Sequence, residues 1–374
     1  MSLGLLIAVI VIALVFTYIN GFHDTANSIA TVVATKVLSP GQAVLLAATT
    51  NLAGALLGSA VALTIATGLI DAGVLQVGAE VLICALLGAI VWNLITWWFG
   101  LPSSSSHALI GGLCGAAFAA SDGNFRAIIW ASNPTRWWGG DGVIPKVIVP
   151  MVASPIAGFI LGIAVMGGLL ALFAWLANRR GWLRRLGRTP FVNLFFGKAQ
   201  LFSAAAMGVS HGMNDAQKSM GIIALALASA TAAHNFDHLP WWLHFLRVPD
   251  IGGHFPIPVW VKVVCALVMA AGTAGGGWRI IKTLGHKMVK LHPINGFAAE
   301  TSGAAVIILA SIFGMPVSTT HVISSSIMGV GASKRFNAVR WTVVERMVWA
   351  WLLTLPISAF MAWVLVEVSR PLWG

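Results

Sequence analysis

The chain has 374 residues, of which 58% are hydrophobic and only 9% charged, and its mean hydropathy is +0.88. This composition excludes an ordinary soluble globular protein, in which about 25% of residues are charged. Lys and Arg outnumber Asp and Glu by 22 to 11. The basic residues stand in short runs between apolar stretches, a pattern that sets membrane orientation and does not indicate nucleic-acid binding.

Ten apolar stretches predict ten membrane crossings, because about 20 apolar residues carry a helix across a ~30 Å hydrocarbon layer. They lie near 3–36, 43–68, 81–99, 101–120, 147–177, 200–230, 258–278, 294–312, 315–332 and 343–368. None shows the alternation of a barrel strand. The chain is therefore predicted to be an all-α, polytopic integral membrane protein. Its first 19 residues lack the basic start of a signal peptide and are predicted to be a retained membrane helix.

The connector at 178–198 divides the crossings five and five. It carries six basic residues and no acid: Arg179, Arg180, Arg184, Arg185, Arg188 and Lys198. Because basic loops stay in the cytoplasm, this connector is predicted to be cytoplasmic and both termini outside. The predicted domains are a first repeat at 1–177 and a second at 199–374, with an extramembrane loop at 231–257. This arrangement places the segment 121–146 outside, although its basic residues, which include Arg136, would favour the cytoplasmic side.

The two halves repeat each other. Residues 20–24 read Asn-Gly-Phe-His-Asp and align with His-Gly-Met-Asn-Asp at 211–215; residues 100–107 read Gly-Leu-Pro-Ser-Ser-Ser-Ser-His and align with Gly-Met-Pro-Val-Ser-Thr-Thr-His at 314–321. With an odd number of crossings in each half, the second copy must be inverted, as in secondary transporters whose sites lie at discontinuous helices near the midplane. Helices are predicted to break at Gly21, at Gly212 and at each Gly-x-Pro.

The second repeated motif favours an oxyanion site. A helix N-terminus offers unpaired N–H groups and a partial positive charge, and hydroxyls in its first turn add donors. Two half-cradles are predicted from the hydroxyl runs: Ser104, Ser105, Ser106, Ser318, Thr319 and Thr320. Such residues also cap and pack membrane helices without binding a ligand, but their recurrence in an inverted copy favours a site.

The first repeated motif favours a cation. Asp24 and Asp215 occupy equivalent places in apolar stretches, where an ionised carboxylate is costly unless it is paired or lies in a polar cavity. Beside an anion cradle they would repel the anion unless a proton, Na+ or a divalent metal enters with it, which predicts cation-coupled anion uptake. Asn27 and its counterpart Lys218 lie about one turn further on and face the same way. Lys218 is predicted to balance Asp215 or to contact the anion.

Five other titratable residues lie in or near the apolar stretches. His23 and His211 adjoin the motif carboxylates and are candidates for proton coupling. Glu300 has no acidic mate in the other half, and it is either a cation or proton site or a structural residue with a partner. His107 and His321 lie past the first helical turn and are interpreted as hydrogen-bonded core residues.

Three further patterns carry less information. Residues 208–212 fit the Gly-x-Ser-x-Gly nucleophile elbow, but that elbow needs a strand, a turn and a helix, and Ser210 has no serine as its repeat mate. An intramembrane serine hydrolase using Ser210 and His211 is therefore a remote alternative. The GxxxG spacings at 54/58 and 158/162 permit close helix contact and would suit a homodimer. The three cysteines are isolated in apolar stretches, so no resident cofactor is predicted.

Together the motifs at 20–27, 100–107, 210–218 and 314–321 resemble those of the PiT family of inorganic phosphate transporters, most closely the bacterial low-affinity, proton-coupled type. The resemblance covers nearly the whole chain. It implies symport of inorganic phosphate across the inner (plasma) membrane, as free phosphate or as a neutral complex with a divalent metal. It also implies substrate contacts for Asp24, Asn27, Asn214, Asp215 and the hydroxyl cradle, with the two Asp residues as metal ligands if metal phosphate is carried.

Three departures from the family pattern matter. His23 and Lys218 stand where many members carry Asn; both are typical of the proton-coupled bacterial subgroup and weaken the case for Na+. The 231–257 loop is shorter than in many bacterial relatives.

Sulfate or another tetrahedral oxyanion remains the alternative substrate, although only a protonated phosphate can donate a hydrogen bond to Asp24 or Asp215. A scaffold that transports nothing would have no need of paired buried carboxylates.

Overall fold

The computed structural model describes residues 2–71, 74–133, 135, 140–237, 239–249 and 256–373. Within these ranges it is almost entirely helical, and the only β feature there is an isolated bridge between Ile70 and Ile128. The all-α prediction is confirmed. Arg136 and part of the 231–257 loop lie outside the described residues.

The described chain contains thirteen α-helices. Two of them are each extended by a π-helical turn. Their bounds are α1 Leu3–Ala34, α2 Pro40–Ala55, α3 Ala60–Thr67, α4 Ala79–Phe99, α5 Ser105–Ala120, α6 Val149–Ala177, α7 Trp182–Leu186, α8 Thr189–Ala232, α9 Val259–Gly275, α10 Trp278–Lys282, α11 Pro293–Ile312, α12 Thr319–Ala332 and α13 Trp341–Trp373. The π turns are Ile144–Ile148, before α6, and Thr283–Lys287, after α10.

Five helices are long and apolar enough to cross a membrane, namely α1, α4, α6 with its π turn, α11 and α13, and two bent pairs raise the number to seven. The pairs are α2 with α3, bent by 67°, and α9 with α10, bent by 58°. α8 is longer, with 44 residues, but too polar to be counted by composition. α5 has 16 residues and α12 has 14, about 24 and 21 Å of helix. The prediction that 101–120 and 315–332 are full crossings is therefore wrong.

The two short helices are instead the second arms of hairpins formed by α4 with α5 and by α11 with α12. The first arms end at Gly100 and beside Gly314, each of which has a φ of 64°, a left-handed conformation that glycine adopts without strain. After Gly-x-Pro, Ser104 or Ser318 caps the new helix by accepting from the amide three residues on, at 3.2 Å in both hairpins. The predicted break at Gly-x-Pro is confirmed in both motifs.

The hairpins enter the protein from opposite ends. α13, which has 33 residues, runs from the base of one hairpin to the base of the other. Near its end Arg370 donates to the Ala119 carbonyl of the first hairpin, at 2.6 Å. At its start the Arg340 amide donates to the Met288 carbonyl, just before the second hairpin, at 3.0 Å. The tips meet in the middle, so neither hairpin extends through the whole protein.

α1 and α8 carry the other repeated motif, and both run through it without interruption. The predicted helix breaks at Gly21 and Gly212 are therefore wrong. A Cβ atom on Gly21 would lie 2.6 Å from the Met269 carbonyl oxygen of α9, and one on Gly212 would lie 2.1 Å from the Asn51 carbonyl oxygen of α2. Because these glycines have no side chain, the backbones of two helices can touch there. Such a contact does not require either helix to break.

The GxxxG glycines also pack against helices of the same chain. A Cβ atom on Gly54 would lie 2.0 Å from the Val209 carbonyl of α8, and one on Gly162 would lie 2.5 Å from the Ser326 carbonyl of α12. Gly158 lies against α12 as well, and Gly58, with a φ of 80°, stands at the bend between α2 and α3. These positions therefore give no support to a homodimer.

Candidate functional site

Asp24 of α1 and Asp215 of α8 lie together in the middle of the protein. The two carboxylates and His211 each offer one ligand atom, and these three atoms lie within 4.8 Å of one another. None of the three residues is more than 2% exposed. The repeat thus brings its two acids into one buried cluster.

Neutral donors and one histidine surround Asp24. His23 Nδ1 lies 2.8 Å from Oδ1. The Ser105 hydroxyl of the first hairpin donates to Oδ2 at 2.5 Å, and the Thr320 hydroxyl of the second donates to Oδ1 at 3.3 Å. No Lys or Arg of the described ranges lies within 4 Å of this carboxylate. Hydrogen bonds therefore do most of the work of making its burial tolerable.

Asp215 has a cation of its own. Lys218 Nζ lies 2.5 Å from Oδ1, and both side chains are wholly buried. The Thr319 hydroxyl donates to Oδ2 at 3.2 Å. His211 Nε2 lies 3.0 Å from Oδ2, but it is not aligned for a hydrogen bond, so we treat this approach as an electrostatic contact. Two basic groups thus face one carboxylate.

The hydroxyls of the predicted cradle are all buried at the hairpin tips, but they do different things. Ser105, Thr319 and Thr320 point at the carboxylates, as described above, and the two N-cap serines hold the first turns of α5 and α12. The Ser106 hydroxyl donates to the Val317 carbonyl of the facing hairpin, at 3.0 Å. Two helix N-termini therefore reach the carboxylate cluster from opposite sides.

The two motif asparagines tie the long helices to the second hairpin. Asn27 donates through Nδ2 to the hydroxyls of Thr319, at 3.1 Å, and Thr320, at 2.9 Å. In this orientation its Oδ1 is buried and, among the described residues, has no donor. Asn214 donates to the Ser311 hydroxyl at 2.9 Å and to the Met315 carbonyl at 3.1 Å. It therefore holds the second hairpin, and within the described ranges it makes no hydrogen bond to the carboxylates.

Glu300 of α11 forms a second buried acidic site, apart from the first. Its carboxylate accepts hydrogen bonds from Thr31 of α1 and from Ser203 and Gln200 of α8, the last at 3.1 Å. It is wholly buried, and no basic side chain of the described ranges pairs with it. The sequence analysis left open whether Glu300 has structural partners, and the structure supplies three neutral donors from two helices.

His107 and His321 are core residues as predicted, but the expected hydrogen bonds are largely missing. Their rings pack edge to face with centroids 4.9 Å apart, and His321 stacks on Trp351 at 4.2 Å. Both ring nitrogens of His107 and Nε2 of His321 lack a partner among the described residues. Ring contacts between the hairpins replace the predicted hydrogen bonds.

Sequence reasoning missed three polar residues that contact the partners of the carboxylates. The Ser105 hydroxyl lies 2.7 Å from Asn20 Oδ1, His23 Nε2 lies 3.1 Å from the Thr96 hydroxyl, and His211 Nδ1 lies 3.2 Å from Asn51 Oδ1. A lone amide inside an apolar stretch is itself a signal, because it needs a partner there. Asn51 carried that signal without a repeat mate to strengthen it.

Ser210 does not form a nucleophile elbow. It lies inside the continuous helix α8, and its hydroxyl donates to the Met207 carbonyl one turn back, at 2.8 Å. The strand and sharp turn that expose such a serine are absent at this position.

Comparison with known proteins decides the family. A family model described as the phosphate transporter family matches residues 20–362. The chain belongs to this family. Members of the phosphate transporter family are transporters and not enzymes, which removes the hydrolase alternative and confirms the resemblance seen in the motifs.

Two relatives extend the match over almost the full length. One from Bacillus subtilis (strain 168) is 44% identical over 355 residues, covering 95% of this chain and 94% of the relative. One from Rhizobium meliloti (strain 1021) is 42% identical over 364 residues, covering 97% and 96%. Both are named probable low-affinity inorganic phosphate transporter. A solved structure called the sodium-dependent phosphate transporter matches 99% of this chain with a TM-score of 0.77 and 21% identity, which shows the same fold.

Proposed function

We propose that this protein imports inorganic phosphate into the cell by cation symport, with the proton as the coupling ion. The observation that carries the proposal is the cluster of Asp24, His211 and Asp215, which lies between two helix N-termini with first-turn hydroxyls. The names of the two relatives support phosphate as the anion. Buried acids beside anion donors are useful only when a positive charge enters with the anion.

The hydroxyls supply a physical link between cation and anion. In this structure Ser105, Thr319 and Thr320 donate to the carboxylates. A proton or cation on a carboxylate competes with these hydrogen bonds and frees the hydroxyls to donate to phosphate, beside the partial positive charge of the helix N-termini. The substrate-binding residues that we propose are Asp24, Asn27, Ser104, Ser105, Ser106, Asn214, Asp215, Lys218, Ser318, Thr319 and Thr320.

The proton-coupling residues that we propose are Asp24, Asp215, His23, His211 and Glu300. His23 is hydrogen-bonded to Asp24 at 2.8 Å, which permits direct proton exchange, and His211 lies 3.0 Å from Asp215, where a turn of the ring would align it for the same exchange. If phosphate is carried as a complex with a divalent metal, the metal is cargo, and Asp24 and Asp215 are its protein ligands.

We further propose two inverted repeats, 1–177 and 199–374, joined by the connector 178–198. The support is geometric: the equivalent hairpins enter from opposite ends, and the equivalent glycines of α1 and α8 pack against α9 and α2 in the same way. Alternating access then follows from movement of the hairpins and the two long helices against the outer helices α6 and α13.

The inner (plasma) membrane is the proposed location, with the basic connector in the cytoplasm and both termini outside. The outer helices carry large apolar side chains that are more than half exposed, including Val152, Ile156 and Ile160 of α6 and Phe360 of α13. A patch of this kind would cause aggregation in water and suits a lipid surface.

Uptake into proteoliposomes tests the function. We expect labelled phosphate to accumulate against its gradient when an inward pH gradient is imposed, and an inward Na+ gradient alone to leave uptake at the level of passive exchange. Mg2+ is varied separately to distinguish free from metal-bound phosphate. Unlabelled phosphate should compete fully and equimolar sulfate weakly, because sulfate cannot donate a hydrogen bond to a carboxylate. Equal competition by sulfate, or no accumulation under any gradient, contradicts the proposal.

Glu300→Gln tests the second acidic site. The amide keeps the size of the side chain but cannot carry a proton, so we expect accumulation driven by the pH gradient to fall about tenfold, the effect of losing one charge-assisted hydrogen bond of ~1.5 kcal/mol. Exchange of labelled for unlabelled phosphate should continue. The exposed Glu345 gives the matched control Glu345→Gln. Accumulation at the wild-type level in Glu300→Gln would assign Glu300 a structural role.

A further inference from the structure

The two half-sites differ in the residue that follows each acid by three positions. In the first half it is Asn27 and in the second it is Lys218, and both side chains are buried. Each lies one helical turn from its acid on the same helix face. One position of a repeated site therefore holds a neutral amide in one copy and an ammonium group in the other.

Lys218 is committed to Asp215. Its Nζ lies 2.5 Å from Oδ1 of that carboxylate, and no other acceptor of Nζ is found among the described residues. A buried ammonium group is costly to place unless it is paired, so this ion pair fixes a positive charge at the Asp215 half-site. The charge is part of the chain and stays on the protein when a cargo leaves.

Asp24 has the complementary arrangement. No ammonium or guanidinium group of the described ranges lies within 4 Å of it, and the nearby Asn27 Oδ1 is buried without a donor. A carboxylate and an unpartnered amide oxygen together form a set of acceptors that attracts a proton or a small hard cation. The second half-site obtains its positive charge from the Lys218 side chain, whereas the first half-site can bind a proton or a cation from solution.

We propose that Lys218 is a built-in counter-cation, which occupies the exchangeable-cation position of the Asp215 half-site. Asp215 then contributes to coupling by holding Lys218 in place, and the cation that travels with phosphate is held at the Asp24 half-site. This inference rests on the proposed symport. Lys218 thereby lowers by one the number of cations required for each phosphate. It follows that a neutral residue at position 218 opens a second exchangeable site.

The test is the coupling stoichiometry of Lys218→Asn, which copies the residue of the other half. Proteoliposomes are brought to equilibrium at several pH gradients and, separately, several Na+ gradients, and the logarithm of the phosphate accumulation ratio is plotted against that of the gradient. The slope equals the number of coupled cations. We expect the slope of Lys218→Asn to exceed that of the wild type by one, with H+ or Na+ as the added ion.

Two control variants separate charge from packing. Lys218→Arg keeps a positive charge and should keep the wild-type slope. The double swap Asn27→Lys with Lys218→Asn moves the built-in charge to the other half-site and should also keep the wild-type slope. An unchanged slope in Lys218→Asn, with transport retained, overturns the inference.

A direct binding measurement covers the case in which Lys218→Asn is folded but inactive. Binding of labelled Na+ and uptake of protons are measured on the purified variant and on the wild type, and one additional bound cation per chain is expected in the variant. No added cation overturns the inference. If the wild type itself accumulates no phosphate, the proposed function fails, whatever the variant binds.

Discussion

Replacing Asp24 with asparagine should abolish concentrative phosphate uptake while leaving the protein folded and inserted. The amide can still accept from Ser105 and Thr320, which now donate to the carboxylate at 2.5 and 3.3 Å, so the packing survives. It cannot hold a proton or balance the charge of a cation. Without this coupling no accumulation against the gradient remains. The replacement of charge-assisted hydrogen bonds, worth ~1.5–3 kcal/mol each, by weaker neutral ones predicts a fall in the uptake rate of at least about 100-fold.

The measurement is proton-driven uptake of labelled phosphate into proteoliposomes, with the amount of inserted protein determined on the same sample. Asp237→Asn is the matched control, because Asp237 is exposed and far along the chain from the motifs. Accumulation at the control level in Asp24→Asn, and likewise in Asp215→Asn, would refute the coupling role of the acids.

Asp215→Asn should have a second effect that Asp24→Asn lacks, namely a loss of stability. Removal of this carboxylate leaves the Lys218 ammonium, which is wholly buried, without its partner. Breaking a buried ion pair from one side lowers the free energy of unfolding by about 3–5 kcal/mol. We therefore expect a clearly lower unfolding temperature in detergent for Asp215→Asn than for Asp24→Asn, and no concentrative uptake by either.

A double variant separates stability from transport. In Asp215→Asn with Lys218→Gln no ammonium group is left at position 218 without its carboxylate partner, so most of the lost stability should return. Uptake should stay absent, because the second carboxylate is still missing. If Asp215→Asn alone unfolds at the same temperature as Asp24→Asn, the ion pair does not contribute to stability in the way the geometry indicates.

Much of the site could be predicted because its signals are local and repeated. The meeting of Asp24 and Asp215 follows from two equivalent motifs in an inverted arrangement. The hairpin turns at Gly100 and Gly314 follow from Gly-x-Pro, because proline disfavours the helix interior and the glycine two residues before it can adopt a positive φ. Each inference needs only residues that are neighbours in the chain.

The errors concern features that depend on distant parts of the chain. Gly21 and Gly212 resemble helix breaks, and only the backbones of α9 and α2 show that they are contact points. The stretches 101–120 and 315–332 are apolar over the length of a crossing, but their first residues form the hairpin turns, which shortens α5 and α12. Asn51 joins the site through α2, which no pattern in the sequence places beside His211.

The bonds between the hairpin tips bear on leakage. Ser106 of one hairpin holds the Val317 carbonyl of the other at 3.0 Å, and α1 clamps the second tip through Asn27. A water-filled conduit across the membrane would require both tips to retract together, with all of these bonds broken in the same moment. If the proposed alternating access moves one tip at a time, the other tip keeps the passage closed, and ions find no continuous path of water.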